Sequence, residues 1–109
     1  MHQDASDIVR DAAIQRFEYT FEAVWKAMQL FLREEEGLEI GSPKGAIRTA
    51  LQVGLFDDDQ TRLALQMADD RNLTVHTYNE AIAEVIFAHI PAYVRFMDDL
   101  LSAMRKQAS

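Results

Sequence analysis

Ile14, Phe17, Phe21, Val24, Met28 and Phe31 are spaced 3, 4, 3, 4 and 3 residues apart. No other feature constrains the fold as strongly. This spacing lays one apolar stripe along a single long helix. A half-buried strand would need strict alternation instead. Ala13, Trp25 and Leu32 widen the stripe into a face broad enough to pack on two neighbours. The pattern predicts a helix from about Asp7 to Glu36, capped by Ser6 or Asp7 and ended by Gly37.

Ser42-Pro43 reads as a second helix start, a hydroxyl cap followed by proline at the first helical position. That helix is short, running to about Val53, with Ala46, Ile47, Ala50 and Leu51 on its buried side and Gly54 as its stop. Asp57-Asp58-Asp59 offers caps for a third helix reaching Arg71–Thr74. Thr77-Tyr78-Asn79-Glu80 reads as a capping box for the last one. Its stripe is Ile82, Ile86, Ile90, Tyr93, Met97, Leu100 and Met104. Pro91 falls inside that stripe without breaking its phase. The expectation is a kink, or two helices meeting end to end, with no reversal of direction. The whole reads as one all-α domain over residues 1–109, an up-and-down bundle of four or five helices.

Composition narrows the function. With 109 residues, four glycines and two prolines, there is too little turn punctuation for an all-β protein. The absence of cysteine removes disulfides and thiolate metal sites. No apolar run approaches the ~18 residues of a membrane span, and Met1 to Arg10 is polar and acidic rather than a signal peptide. The expected location is the cytoplasm. Lys and Arg total 11 against 18 Asp and Glu, a formal net charge of −7. Binding to nucleic acid through phosphates needs local positive charge. It would require a basic cleft or a basic partner.

Chemistry concentrates in Asp69-Asp70-Arg71-Asn72-Leu73-Thr74-Val75-His76-Thr77-Tyr78-Asn79-Glu80, a helix junction poor in apolar residues. Arginine grips phosphate with a bidentate fork. Histidine holds or donates a proton near neutral pH. Together they suffice for metal-free RNA cleavage, with Arg71 as phosphate clamp and His76 as acid or base. Against this stands a geometric objection. Five residues of ideal helix turn roughly 500°, which leaves the two side chains about 140° apart. They share a substrate only across a helix break or across a two-fold dimer axis. Asp69 and Asp70 also compete as partners for Arg71. Asp57-Asp58-Asp59 is an N-terminal cap before it is a cation site. His89 reads as a packed or rim histidine, and His2 belongs to a frayed terminus. No metal site and no cofactor are expected.

Ala13-Ile14-Gln15-Arg16-Phe17-Glu18-Tyr19-Thr20-Phe21-Glu22, Trp25-Lys26, Ser42-Pro43, Gly54-Leu55, Arg71-Asn72-Leu73-Thr74 and His76-Thr77-Tyr78 carry a family resemblance. In that order they closely resemble the nucleotidyltransferase substrate-binding proteins, HepT-like members of the wider HEPN superfamily of helical domains. The resemblance covers nearly the whole chain. It implies an all-α homodimer, encoded beside a minimal nucleotidyltransferase with which it forms a toxin–antitoxin pair. The superfamily's Arg-x4-6-His motif, the proposed metal-independent ribonuclease site at the dimer interface, falls on Arg71 and His76. Asn72 matches the polar residue that often follows the arginine, and Thr74 completes that block as a binding candidate. Tyr78 matches the tyrosine that the nucleotidyltransferase partner modifies with AMP. Members usually carry a further N-terminal helix ahead of the block that begins here near Asp7. The implication is a late start or a bundle short of one helix. The second would uncover the Phe/Trp/Met face of the first helix and favour dimerisation.

Two functions from different classes follow. One is a dimeric metal-independent endoribonuclease. The other is a non-catalytic subunit that presents a nucleotide or substrate to a nucleotidyltransferase. The net charge favours the second. The Arg71, His76 and Tyr78 set favours the first.

Overall fold

A computed structural model describes residues 5–108, and His2 lies outside them. Four helices form: α1 (Ala5–Glu36), α2 (Pro43–Gln52), α3 (Asp58–Leu73) and α4 (Glu80–Ala108), with a 3-10 turn at Thr74–His76 between the last two. Local chemistry sets these limits. Gly37 at φ 68° and Gly54 at φ 82° end α1 and α2 in the left-handed region that glycine tolerates. Ser42 caps α2 by accepting the Gly45 N–H. Asp57 caps α3 in a reciprocal capping box with Gln60.

The start of α4 differs from the sequence expectation. Asn79, not Thr77, is the cap: its Oδ1 accepts the N–H groups of Ala81 and Ile82. The Thr77 hydroxyl donates instead to the Thr74 carbonyl at 3.1 Å. A further turn follows the 3-10 segment, with the Asn79 N–H donating to the His76 carbonyl, so Thr77 and Tyr78 precede the helix. Asn79→Ala is expected to cost about 1 kcal/mol in urea denaturation, with Asn79→Asp close to wild type.

Pro91 does not reverse the chain, and α4 runs through it as one helix rather than two. Proline lacks the N–H that would bond the Phe87 carbonyl. Both residues are exposed, so water is at hand for that carbonyl.

The α1 stripe, Ile14 to Phe31, is buried throughout, together with Leu32, and Trp25 is half-buried. Its cover comes from this chain. Arg10 bonds Glu84, Phe17 stacks on Tyr93 with ring centroids 5.4 Å apart, and Phe31 shares a groove with Met104. Numbers therefore rise together along α1 and α4, and the two long helices run parallel. Antiparallel to α4 runs α3, with Gln66 bonded to Tyr93 and Asp70 to His89. The hairpin of α2 and α3 is tied by Lys44 to Asp69 at 2.6 Å. Strict alternation of direction fails at the first connection. There the chain doubles back beside α1, where Gln29 donates to the Ile40 carbonyl. Helices of these lengths, at ~1.5 Å rise per residue, give a body of 52 × 22 × 21 Å. The junction between α3 and α4 lies near one end of its long axis.

Candidate functional site

The junction is built by short-range hydrogen bonds. The Arg71 carbonyl accepts both the backbone N–H and the hydroxyl of Thr74, the latter at 2.7 Å. The Asn79 N–H then donates to the His76 carbonyl. The helix tightens into 3-10 geometry between the arginine and the histidine, so the ideal-helix relation between them no longer applies. Thr74 itself is buried, and its hydroxyl closes the end of α3. Asn72 is exposed and lines a recess of about 270 Å³ with Lys44, Ser42 and Pro43.

Arg71 is half-exposed. Neither acidic neighbour holds it. Asp69 pairs with Lys44, and Asp70 turns inward to His89 and Tyr93. Among the described residues no side chain bonds the Arg71 guanidinium.

His76 is exposed at the end of the turn. Its Nδ1 lies 3.2 Å from the Tyr78 hydroxyl, and the rings meet edge to face at 5.8 Å. A phenol that donates to Nδ1 leaves a proton on Nε2, while the opposite tautomer leaves Nε2 as a base. One imidazole thus offers either role. Tyr78 is 82% exposed. The structure therefore joins His76 to Tyr78 directly. No hydrogen bond or ring contact joins Arg71 to His76 within the chain.

Apolar surface adjoins the motif. Leu73, Ala81, Ile82, Val85 and Ile86 line a shallow hollow of about 220 Å³. Val75, inside the motif, is 67% exposed. Among the described residues no three histidines or carboxylates are grouped to hold a metal ion. No helix of the described residues is long and apolar enough to cross a membrane.

Two polar clusters escaped the sequence reading. Arg10 is nearly enclosed and meets Asp7, Asp11, Glu80 and Glu84. Hydrogen bonds to Glu84 and then Asp11 hold its proton more tightly than usual. The other joins Gln66 and Asp70 of α3 to His89 and Tyr93 of α4. A signal was present for the second: His89 and Tyr93 are spaced i, i+4 along the apolar stripe of α4, and Gln66 and Asp70 share that spacing on α3.

Burial, reinforced by the hydrogen bond to Asp70, pushes the Tyr93 phenol above its ordinary range. The folded chain keeps a proton that the unfolded chain releases near pH ~10. This stabilisation is complete below that pH and is lost as pH rises toward the folded value. Urea denaturation between about pH 9 and pH 11 should show wild type losing stability more steeply than Tyr93→Phe. The difference in slope should approach about 1.4 kcal/mol per pH unit.

Fold and site together define a helical-bundle protein in which the last turn of one helix carries an arginine and the exposed turn after it a histidine–tyrosine pair. Over residues 1–106 the sequence matches the family described as nucleotidyltransferase substrate binding protein like, and the chain belongs to that family. It is 31% identical over 105 residues to a protein named probable ribonuclease HepT from Haemophilus influenzae, an alignment covering 93% of this chain and 70% of that one. A crystal structure of a protein from Thermus thermophilus shares the fold with a TM-score of 0.90 and 60% identity, covering 96% of this chain and 88% of that chain.

Proposed function

We propose that the protein is a homodimeric, metal-independent endoribonuclease, the toxin partner of a minimal nucleotidyltransferase, with a composite Arg71/His76 site. One observation carries the reading. On a chain of net charge −7, the Arg71 guanidinium has no side-chain partner among the described residues, while Asp69 and Asp70 are engaged elsewhere. A half-exposed arginine kept clear of its own acidic neighbours is available for a phosphate. His76 takes the proton from a ribose 2′-hydroxyl, and O2′ attacks the adjacent phosphorus. The P–O5′ bond breaks, and the protonated His76 imidazole returns the proton to O5′ as it leaves. The products are a 2′,3′-cyclic phosphate and a 5′-hydroxyl. Arg71 stabilises the charge that builds on the non-bridging oxygens. The resemblance to a protein named probable ribonuclease supports the same chemistry.

The dimer supplies what one chain lacks. The hollow at Leu73, Ala81, Ile82, Val85 and Ile86, with exposed Val75, gives a self-association surface beside the motif. Asn72, exposed next to the arginine in the chain, adds a substrate contact, whereas buried Thr74, its hydroxyl committed to the Arg71 carbonyl, supports the turn instead. Tyr78 is the AMP acceptor: its hydroxyl is exposed and bonded to His76, so a phosphodiester there would remove that bond and place negative charge beside the imidazole. The acidic surface favours a second reading, in which the chain holds nucleotide for a nucleotidyltransferase without cutting RNA.

Cleavage of RNA in EDTA separates the two. Wild type should cut, and Arg71→Ala and His76→Ala should each lower kcat by about 10²–10⁴. Equal activity in all three chains would remove the assigned site. Labelling of Tyr78→Phe with AMP by the partner, undiminished from wild type, would remove the modification.

A further inference from the structure

We infer that Asp70 is the positioning residue for Arg71, clamped in place from α4 by Tyr93 and His89. This rests on the reading above, because it concerns how the arginine of that site is held.

Asp70 is 6% exposed and Tyr93 is fully buried. Tyr93 donates its hydroxyl proton to Asp70 Oδ2, and Gln66 Nε2 donates to the Tyr93 oxygen at 3.0 Å. His89 Nδ1 lies 2.7 Å from the same carboxylate oxygen. A buried carboxylate is tolerated only when hydrogen-bonded, and this one takes two donors on one oxygen. Gln66 and Asp70 are one turn apart on α3, as are His89 and Tyr93 on α4. The two polar pairs mesh where the antiparallel helices cross.

Sealing that crossing does not require charge. Apolar residues of similar volume often serve stability as well or better. They do not serve direction, because burial is non-directional while hydrogen bonds depend on angle. A carboxylate held from two positions on α4 restricts rotation of α3 about its own axis. Asp70 is adjacent to Arg71, and α3 ends three residues later at Leu73. It is the last residue of α3 hydrogen-bonded to α4 before the junction begins. The Arg71 carbonyl, in turn, holds Thr74 at the start of the 3-10 turn. A change in the roll of α3 at Asp70 therefore shifts the exit of the Arg71 side chain and the origin of the turn that bears His76.

Two measurements on the full-length chain test this. The first is steady-state cleavage of a fluorescently labelled single-stranded RNA in EDTA. Asp70→Ala should lower kcat about 100-fold through misplacement of the arginine. Tyr93→Phe should lower it on the order of tenfold. In both, KM should stay within about twofold of wild type. Asp70→Asn keeps an oxygen for the Tyr93 proton and should recover most of the loss. Loss of folded protein alone would give no such rescue order. The second is amide hydrogen exchange, which does not depend on cleavage. Protection at Arg71–His76 should fall in Tyr93→Phe and Asp70→Ala, while α2 is unchanged. Unaltered kcat in both variants, with unaltered exchange, overturns the clamp and leaves the ribonuclease reading standing. A wild type that does not cut RNA removes the ribonuclease reading, and hydrogen exchange alone then decides the clamp.

Discussion

Arg71→Ala and His76→Ala chains, each inactive alone, should regain about a quarter of wild-type RNA cleavage when unfolded together and refolded in equal amounts. Random pairing makes half of the dimers mixed. In a composite site the arginine comes from one chain and the histidine from the other. A mixed dimer then holds one intact site and one doubly defective site. If each chain built its own site, every site in the mixture would lack one of the two groups, and activity would stay at the level of the single variants. The structure supplies the reason to expect the first result. Within one chain His76 contacts Tyr78, and nothing connects Arg71 to His76. Among the described residues no side chain pairs with the guanidinium, and Leu73, at the end of the same helix, lines an apolar hollow.

Phe17→Ala should be the most damaging single substitution in the core, costing about 3–5 kcal/mol in urea denaturation. Its ring stacks on Tyr93 at 5.4 Å and lies 6.2 Å from Phe21, at the middle of the parallel contact between α1 and α4. Truncation removes buried aromatic surface and leaves a cavity between two long helices that cannot close on it. Domains of this size have about 5–15 kcal/mol of stability in total. The thermal midpoint should therefore fall on the order of 15 °C or more. The loss should also spread to the Tyr93–Asp70 pair, whose phenol ring rests on Phe17. A fall of less than about 1 kcal/mol would show that the α1–α4 contact is not the centre of the fold.

The helices were legible because their stripes are long and their ends carry strong caps. Ser42, Asp57, Gly37 and Gly54 each act as their residue types predict. Asn79 was less legible, since Thr77 with Glu80 gives an equally good local capping signal. The choice between them follows from the 3-10 turn, which depends on how Thr74 bonds back to Arg71. The residues of the candidate site were legible as chemical types in one short segment. Their pairings were not. Asp69 and Asp70 stand beside Arg71 in the chain, yet their partners are Lys44 on α2 and His89 and Tyr93 on α4. Helix rotation and the parallel course of α1 and α4 decide those partners, and no local pattern encodes either. His89 was read as a packed or rim histidine; half-exposed, it is bonded to a buried acid.

The shared direction of α1 and α4 has an electrical consequence. Peptide dipoles in two parallel helices add rather than cancel, and each helix start carries roughly half a positive charge. Both starts lie at the junction end of the molecule. There Asp7 stands in the first turn of α1 and Glu80 in the first turn of α4, with Asp11 and Glu84 close by. Arg10 and the two helix starts together offset negative charge on these four carboxylates. The two helix starts thus give the carboxylates at that end a favourable partner, while the end of α3, which carries Arg71, brings the opposite sign to the same place.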